Sequence, residues 1–553
     1  MITILDAAYV VSILAVTILV AKLIAPYIAG VFTRAPSRLD RFLSPVENGV
    51  YRLVGVDPTH GMGWKEYFLS GLLVNIAQMA VAFVILTFQG QLPLNPQGFT
   101  GLRWDLALNT VVSIATNTNL QHYAGETTLS YLSQMSAIQF LQFTSAATGI
   151  CMGVGMVRCL VKGSKDLGNF YVDFVRSLTR LLIPLCFIAA VVLVAMGVPQ
   201  SLSGYHTVTT VTGASESILI GPIASLVSIM QLGTNGGGYF GANSAYPLQN
   251  PSPVSDVFEI FLMLLLPTAL IFVFGELLGP EKEKEYRPIL VGAYSLFAID
   301  LIIGFIPTIP TGPGIETRFG GFFSAFWTVV TTAVTTGSVN SSLYAMHPLT
   351  ILAAFMGMLI QATPGGKGVG LMYMIMFIVI TVFVVGLMSG RTPEYLGMKI
   401  TARDVKLVMV AFLIHPIIIL IPTLVSFATN AATEICGGFS ASCFTQVMYE
   451  FTSAASNNGS DFFGSSANTP FWNISTAVVI FIGRYAPIAI LLAMGGSMIG
   501  RKRSSEVGLK TDSMLFTAVL VASILILVVL TFFPFLALGP ILQYLHGQVN
   551  FLG

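Results

Sequence analysis

Residues 233–240 of this 553-residue chain read GTNGGGYF, and they lie between two strongly apolar segments, 225–232 and 254–278. An unpaired peptide group in hydrocarbon costs several kcal/mol, so irregular backbone at membrane depth persists only where protein or a wet cavity surrounds it. Glycine adopts positive φ without steric cost, so consecutive glycines let successive carbonyl groups face one axis and replace the water shell of an ion. We therefore predict that this turn lines an aqueous path.

Three weaker copies of this turn recur along the chain at similar intervals. All four turns consist of Asn, Thr and Gly, and in register they are Asn117-Thr118-Asn119, Thr234-Asn235-Gly236, Thr335-Thr336-Gly337 and Asn457-Asn458-Gly459. Asparagine replaces glycine in the first turn, where it fits because it also tolerates the left-handed region. A hydroxyl residue stands six positions before three of the turns, as Ser113, Thr331 and Ser453, and Met230 takes this place in the other. The repeat predicts four equivalent re-entrant segments around one pore.

The composition is that of an integral membrane protein. Hydrophobic residues make up 54% of the chain, charged residues only 9%, and the mean hydropathy is +0.81, whereas about a quarter of the residues in soluble domains are charged. The net charge of +1 gives no reason to expect a nucleic-acid partner. The five cysteines lack metal-binding spacing. We interpret them as small apolar packing residues, with a disulfide between Cys436 and Cys443 as the alternative for that pair.

Ten apolar runs are long enough, at roughly 20 residues, to cross a bilayer as helices. They are 8–32, 67–88, 127–158, 173–197, 254–279, 288–308, 349–390, 404–429, 470–498 and 513–539. The seventh run is too long for one straight helix, and Pro364-Gly365-Gly366-Lys367-Gly368 interrupts it. Shorter apolar stretches, suited to half-helices, precede the four turns at 105–115, 219–232, 321–334 and 443–455.

We therefore predict an all-α polytopic membrane protein with about ten transmembrane helices. Its core consists of four pseudo-symmetric repeats of helix, pore half-helix, turn and helix around one pore. The repeats span 67–160, 170–280, 286–392 and 402–500, with an extra helix at each end, 1–33 and 511–540. Lysine and arginine concentrate in cytoplasmic loops; here they cluster in alternate connections, and the turn regions contain only Arg103 and Arg318. This distribution predicts that all four turns and both termini face the outside.

The turns offer an ion neutral oxygen atoms: main-chain carbonyls, threonine hydroxyls and asparagine amides. Divalent cations usually recruit carboxylates, and the nearest acids, Glu126 and Asp461, lie several residues beyond the turns. Half-helices that point their C-terminal ends at the pore add fractional negative charge without an ionisable group. This chemistry suits a large, weakly hydrated monovalent cation and favours potassium over magnesium or calcium. The alternative, a merely flexible glycine loop, does not explain four copies.

Three ionisable residues within the apolar runs are candidates for function, because charge inside a membrane is costly. Arg484 lies in the ninth run, where it either forms an electrostatic barrier beside the pore or ties helix-end carbonyls together. For Asp300 we expect structural pairing. The break at 364–368 is a candidate gate because a glycine-flanked interruption moves at low cost. Lys367 either belongs to that gate or snorkels from the kink.

Nothing in the sequence indicates catalysis by this chain. The phosphate-binding motif GxxxxGK[ST] is absent, because the GGKG around Lys367 is followed by valine and glycine and lacks the serine or threonine that holds magnesium. The polar connections are also too short for a nucleotide-binding domain. We therefore expect a non-enzymatic chain that binds no nucleotide.

Four long segments carry a resemblance to a known family. They read WDLALNTVVSIATNTNLQHYAGETTLSY (104–131), LGTNGGGYFGANSAYP (232–247), GRTPEYLGMKI (390–400) and SAASNNGSDFFGSSANTPFWN (453–473). In these segments, and nearly end to end, the chain resembles the potassium-binding A subunits of the bacterial Kdp family of ATP-driven potassium uptake complexes. The resemblance implies a channel-like potassium transporter fold in the bacterial plasma membrane. It also implies a P-type ATPase partner that hydrolyses ATP, a small single-span C subunit and a short accessory membrane peptide.

The same resemblance implies which residues hold and pass the ion. The filter residues are Asn117, Thr118, Asn119, Gln121, Thr234, Asn235, Gly236, Gly237, Thr335, Thr336, Gly337, Asn457, Asn458 and Gly459. Arg484 matches an arginine of the family, and with the residues of the break that the sequence itself singles out the gate and pathway candidates are Pro364, Gly365, Gly366, Lys367 and Arg484. The implied route passes the filter, stops at the broken seventh helix and turns sideways into the ATPase subunit. The chain departs from the family where TTG replaces Ser-Cys-Gly at 335–337, and where the break reads ATPGGKG at 362–368 and lacks a glutamate.

Two hypotheses of function follow from the sequence. The first is the potassium-selective subunit of an ATP-driven pump. The second is a self-sufficient potassium channel or an ion-gradient-driven symporter with the same pore, since the signals for a filter would look alike. A scaffold that transports nothing is disfavoured because it needs no glycine turns.

Overall fold

The computed structural model describes residues 3–305, 310–503 and 510–552. The helices that position the site are α1 (Ile4–Thr33), α2 (Asp40–Val54), α3 (Trp64–Thr87), α4 (Trp104–Ala115), α5 (Tyr131–Leu160), α6 (Phe170–Ala195), α7 (Ile223–Leu232), α8 (Pro253–Leu278), α9 (Tyr286–Phe305), α10 (Gly320–Ala333), α11 (Pro348–Ile360), α12 (Val369–Ser389), α13 (Ala402–Ala428), α14 (Ala441–Ala455), α15 (Pro470–Met498) and α16 (Met514–Leu545). Ten helices within the described ranges are long and apolar enough to cross a membrane. The prediction of a multi-pass, all-α membrane protein is confirmed.

Four of the shorter helices are the half-helices that the sequence predicts. α4, α7, α10 and α14 each stop directly before one of the four turns. Each stands between two longer helices, which produces the repeats α3–α4–α5, α6–α7–α8, α9–α10–α11/α12 and α13–α14–α15. The predicted seventh run is two helices, α11 and α12, separated by the break at residues 361–368. Residues 306–308 of the predicted sixth run lie outside the described residues.

Burial separates the helices into an inner and an outer set. α5 and α8 are buried over most of their length, whereas α1 and α16 expose most of theirs. α1 packs against α8, where Val10 and Ile13 join a cluster with Met263 and Leu264. α16 packs on α9, with Leu520 near Gly292. The two extra helices therefore lie at the periphery, and the four repeats surround the turns.

Three local features differ from the sequence analysis. The connection after α1, where no helix was predicted, contains the amphipathic helix α2, whose exposed face carries Phe42 and Leu53. Two small antiparallel hairpins also occur, formed by β1 (His206–Thr209) with β2 (Ser215–Ile218) and by β3 (Glu394–Tyr395) with β4 (Met398–Lys399). Cys436 and Cys443 form a disulfide, so interpreting this pair as packing residues is wrong, while Cys151, Cys159 and Cys186 are buried and free.

One ion pair ties several helices together away from the turns. Arg158, at the end of α5, donates from Nη2 to Asp173 Oδ1 of α6 at 3.0 Å and to the Phe32 carbonyl of α1 at 2.8 Å. The hydroxyl of Tyr67, on α3, donates to the other carboxylate oxygen of Asp173 at 2.8 Å. Asp173 and Tyr67 are buried. Removing one partner of a buried ion pair leaves an uncompensated charge, which costs about 3–5 kcal/mol.

We predict that Arg158→Gln lowers the free energy of unfolding by about 3 kcal/mol, because it strands the Asp173 carboxylate. Thermal unfolding of the purified full chain in detergent measures the loss. Lys162→Gln is the matched control, since the Lys162 side chain is 71% exposed and its ion pair with Glu281 is exposed as well. Equal melting temperatures for the two variants would contradict the structural role of the pair.

Candidate functional site

The four turns share one backbone conformation. In each turn the first and third residues have positive φ, and the residue between them does not. The first-position values are 65° at Asn117, 43° at Thr234, 48° at Thr335 and 54° at Asn457. The third-position values are 58° at Asn119, 97° at Gly236, 91° at Gly337 and 108° at Gly459. When the sign of φ alternates from residue to residue, successive carbonyl groups face the same side of the chain. Each turn therefore presents a row of carbonyl oxygen atoms on one side.

Contacts between neighbouring turns close them into a ring. A Cβ atom added to a third-position glycine would collide with the middle carbonyl oxygen of the next repeat, and the colliding pairs are Gly236 with Thr336, Gly337 with Asn458, and Gly459 with Thr118. The ring closes between the first and second repeats, where Asn119 Nδ2 donates to the Gly237 carbonyl at 3.0 Å. Glycine is therefore required at these positions both for positive φ and for close approach. We call the four turns together the filter.

The middle carbonyls of the filter receive no hydrogen bond from the part of the chain that the structure describes. In every repeat the N–H of the middle residue donates to the carbonyl five residues earlier, at 2.9 Å for Thr118, 2.8 Å for Asn235, 2.8 Å for Thr336 and 2.9 Å for Asn458. All four middle residues are fully buried, yet no described residue donates to their own carbonyl oxygens. Buried carbonyls are rarely left unpaired in proteins, so this ring of four oxygens fits an ion that would complete it.

The hydroxyl residues noted six positions before the turns support the filter from behind. Thr331 Oγ1 accepts from the Gly337 N–H, and Ser453 Oγ accepts from the Gly459 N–H, both at 2.9 Å. In the first repeat Ser113 Oγ donates instead to the Leu120 carbonyl at 3.1 Å. This spacing is visible in the sequence, although the sequence alone predicts no role for it. Each hydroxyl orients the peptide next to a filter carbonyl.

Side chains from α5 fasten the first two turns. Gln142 Nε2 donates to the Gly237 carbonyl at 2.5 Å, and Ser145 Oγ donates to the side-chain oxygens of Asn117 and Asn235 at 3.0 and 3.1 Å. The sequence-predicted Gln121 also contributes, since its amide donates to the Gly238 carbonyl and accepts from the Gly238 N–H, both at 3.1 Å. Gln142 and Ser145 were missed because they lie in a long spanning helix, far from any turn in sequence.

A cavity of about 330 Å³ opens onto the filter from the side of the third-position glycines. We call it the vestibule; its lining includes Gln121, Glu126, Gly337, Gly459 and Asp461. Burial, together with the charge of nearby Glu450, raises the pKa of Asp461 to about 8. Burial also raises the pKa of Glu126. Both shifts favour the neutral form of the carboxyl groups that line the vestibule.

The break between α11 and α12 lies against the opposite end of the filter. The Gly365 N–H donates to the Ala333 carbonyl, the last residue of α10, at 3.0 Å. The Thr363 hydroxyl donates to the same carbonyl at 3.3 Å. Gly366 lies directly beside the Thr335 hydroxyl, so that a Cβ at that position would collide with it. The broken segment thus covers the pore on the side away from the vestibule.

Lys367 does not snorkel toward the membrane surface, and that alternative is wrong. Only 2% of the residue is exposed, and its ammonium donates to Asn117 Oδ1 at 2.9 Å and to Thr234 Oγ1 at 3.0 Å. Both acceptors belong to first-position residues of the filter. The break therefore places the ammonium group of Lys367 directly against the filter. The tight glycine-rich backbone directs this side chain toward the turns.

Arg484 and Asp300 do not make the structural contacts expected of them with any described residue. No hydrogen bond or ion pair joins the Arg484 guanidinium to another described residue, so the expected tie to helix-end carbonyls is not found there. A Cβ on Gly149 would lie 2.9 Å from Arg484 Nη2 and 3.0 Å from the Lys367 carbonyl, which places both cationic residues beside the same turn of α5. The carboxylate of Asp300 is buried and no described residue donates to it, so the expected pairing is not found either.

Comparisons with known proteins agree with this geometry. The family model "KdpA: Potassium-transporting ATPase A subunit" matches residues 11–545. A protein of Alicyclobacillus acidocaldarius, named potassium-transporting ATPase potassium-binding subunit, is 44% identical over 97% of this chain and 99% of its own length. Proteins with the same name from Gloeobacter violaceus (43% identity, 97% of both chains) and Caldanaerobacter subterraneus subsp. tengcongensis (42% identity, 97% and 98%) are similarly close.

The fold is also found in a solved structure of low sequence identity. The potassium transporter TrkH from Vibrio parahaemolyticus superimposes with a TM-score of 0.52 over 89% of this chain and 98% of its own, at 14% identity. At that identity the likeness concerns the architecture of the helices and half-helices alone. The family match over nearly the whole chain, by contrast, rests on sequence. This chain belongs to the family of potassium-transporting ATPase A subunits.

Proposed function

We propose that this chain binds potassium in the filter and passes it to the ATP-hydrolysing subunit of a high-affinity uptake complex. The observation that carries the proposal is the ring of four buried, unpaired carbonyl oxygens from Thr118, Asn235, Thr336 and Asn458. The chain itself is the non-hydrolytic member of that complex and binds no nucleotide. The names of its relatives, potassium-transporting ATPase potassium-binding subunit, support the same assignment.

The filter acts by replacing the water around the ion. An ion that enters from the vestibule loses its hydration shell and gains main-chain oxygens held at fixed positions by the half-helices and their hydroxyls. The C-terminal ends of α4, α7, α10 and α14 converge on the filter, and each contributes about −0.5 of an elementary charge. Neutral oxygens and partial charges stabilise a monovalent cation without the carboxylates that divalent ions require.

The proposal also assigns the repeats, the filter residues, the gate region and the orientation of the chain in the membrane. The repeats are 67–160, 170–280, 286–392 and 402–500, with terminal helices at 1–33 and 511–540. The filter is formed by Asn117, Thr118, Asn119, Gln121, Thr234, Asn235, Gly236, Gly237, Thr335, Thr336, Gly337, Asn457, Asn458 and Gly459. Beneath it, Pro364, Gly365, Gly366, Lys367 and Arg484 form the gate region. Because basic residues are rare near the turns, the vestibule opens outside the bacterial plasma membrane.

Partner chains complete the transport cycle. A P-type ATPase subunit hydrolyses ATP and receives the ion, and a single-span C subunit and a short accessory membrane peptide assemble with it. The break supports a sideways exit, since the segment between α11 and α12 lies against the inner end of the filter.

The second candidate is a self-sufficient potassium channel or symporter, favoured by the fold shared with TrkH. Uptake of potassium in cells that express the native complex separates the two. Removing ATP while the membrane potential is held should abolish uptake and the chain should co-purify with an ATPase subunit. Uptake that continues under these conditions, with no ATPase subunit present, would favour the channel or symporter.

We predict that Gly236→Ser weakens potassium binding by about tenfold or more and admits other alkali cations. The added Cβ both strains a residue at φ 97° and collides with the Thr336 carbonyl, and a left-handed L-residue alone costs roughly 1–2 kcal/mol. Titration calorimetry on the purified chain measures the affinity. Gly213→Ser is the control, because Gly213 also has positive φ, 81°, but has open space around it. If both variants bind potassium as tightly as the unmodified chain, the site assignment fails.

We predict a smaller effect from the supporting hydroxyls. Thr331→Val leaves the buried Gly337 N–H without its acceptor, which costs about 1–3 kcal/mol, so potassium affinity should fall by about tenfold. Thr328→Val on the same half-helix is the matched control, since its hydroxyl donates to the Ser324 carbonyl within the helix. Comparison of the two dissociation constants tests the role of Thr331, and equal values would contradict it.

A further inference from the structure

The Lys367 ammonium lies where a cation would leave the filter. Its two acceptors, Asn117 Oδ1 and Thr234 Oγ1, are 2.9 and 3.0 Å away and come from adjacent repeats. Asn117 Nδ2 in turn donates to the Thr234 carbonyl at 2.6 Å, so the lysine is bound to a single polar unit at the junction of two turns. An ammonium group is close to a potassium ion in size and carries the same charge. It can therefore take the place of such an ion among oxygen ligands.

No acid among residues 3–305, 310–503 and 510–552 forms an ion pair with this ammonium. None of the ion pairs among the described residues includes Lys367. Arg484, which is also cationic, lies beside the same glycine of α5 as the Lys367 carbonyl. A buried charge without an acidic partner is unfavourable unless other negative potential offsets it. The four half-helix ends supply that potential, roughly −2 elementary charges in total. The negative potential of the half-helix ends therefore stabilises both the lysine ammonium and a mobile cation.

We propose that Lys367 is a tethered cation that occupies the innermost ion position of the filter. The inference rests on the proposed function and adds a residue to it. With the ammonium in place, a potassium ion arriving from the vestibule is held in the middle ring and cannot pass inward. The filter holds about one mobile ion fewer than its helix ends would stabilise, and passive leak is blocked until the lysine withdraws.

An ion is released when the lysine side chain moves. The backbone on both sides is closely packed: a Cβ on Gly368 would collide with the Gly149 carbonyl, and one on Gly370 would lie 2.5 Å from the Pro364 carbonyl. The side chain of lysine, by contrast, has four rotatable carbon–carbon bonds along a flexible stem. An ion can therefore pass when the ammonium exchanges its two hydrogen bonds for other partners.

The test compares rubidium binding and passive rubidium flux in the full chain and its Lys367 variants. Lys367→Met keeps the length of the side chain and removes the charge, and Lys367→Gln serves as a second neutral variant if the first does not fold. We expect the neutral variants to bind about one additional Rb⁺ per chain and to bind Rb⁺ at least about tenfold more tightly, because repulsion between charges a few ångströms apart is removed. In liposomes without ATP, we expect them to leak Rb⁺ where the unmodified chain does not.

Lys162→Met, at an exposed lysine, is the control for the loss of a positive charge and should behave as the unmodified chain. If the unmodified chain binds Rb⁺ and the Lys367 variants bind the same number of ions with the same affinity and without leak, the tethered-cation inference is overturned alone. If the unmodified chain binds no Rb⁺, the proposed function falls and this inference falls with it.

Discussion

The structure depends on one constraint. Four half-helices must end at a common axis, and the carbonyl oxygens of the middle residues in the turns that follow them must remain without hydrogen-bond donors. Such oxygens are unfavourable in a buried site unless an ion completes them. Every supporting contact reduces the freedom of those oxygens. The Thr331 and Ser453 hydroxyls hold the peptides behind two turns, Gln142 and Ser145 hold the other two, and the glycine contacts close the ring.

The rest of the molecule follows from the need to hide this polar ring from lipid. A single re-entrant turn cannot satisfy its backbone in hydrocarbon, so four repeats surround the axis, and the inner helices α5 and α8 are buried on nearly all sides. The vestibule opens onto one end of the filter, and the broken helix covers the other. Lys367 and Arg484 lie at that covered end, where we propose that their positive charge opposes the inward passage of an ion.

Much of this arrangement was predictable from the sequence, because it depends on local rules. Glycine or asparagine at the third position of each turn identified the places where the backbone has positive φ, and hydropathy identified the helices and half-helices. Contacts between distant segments were not predictable. The position of Lys367 depends on two repeats and the break meeting at one point, and Gln142 reaches the filter only because α5 packs beside it. The interpretation of Lys367 as a snorkelling residue failed for that reason.

The most direct test of the central claim is a high-resolution map of the full chain in rubidium, with anomalous scattering used to identify the ions. The account predicts an anomalous peak on the axis, surrounded by the main-chain oxygens of Thr118, Asn235, Thr336 and Asn458. Peaks confined to other sites, or carbonyl groups of these residues turned away from the axis toward protein or lipid, would contradict it.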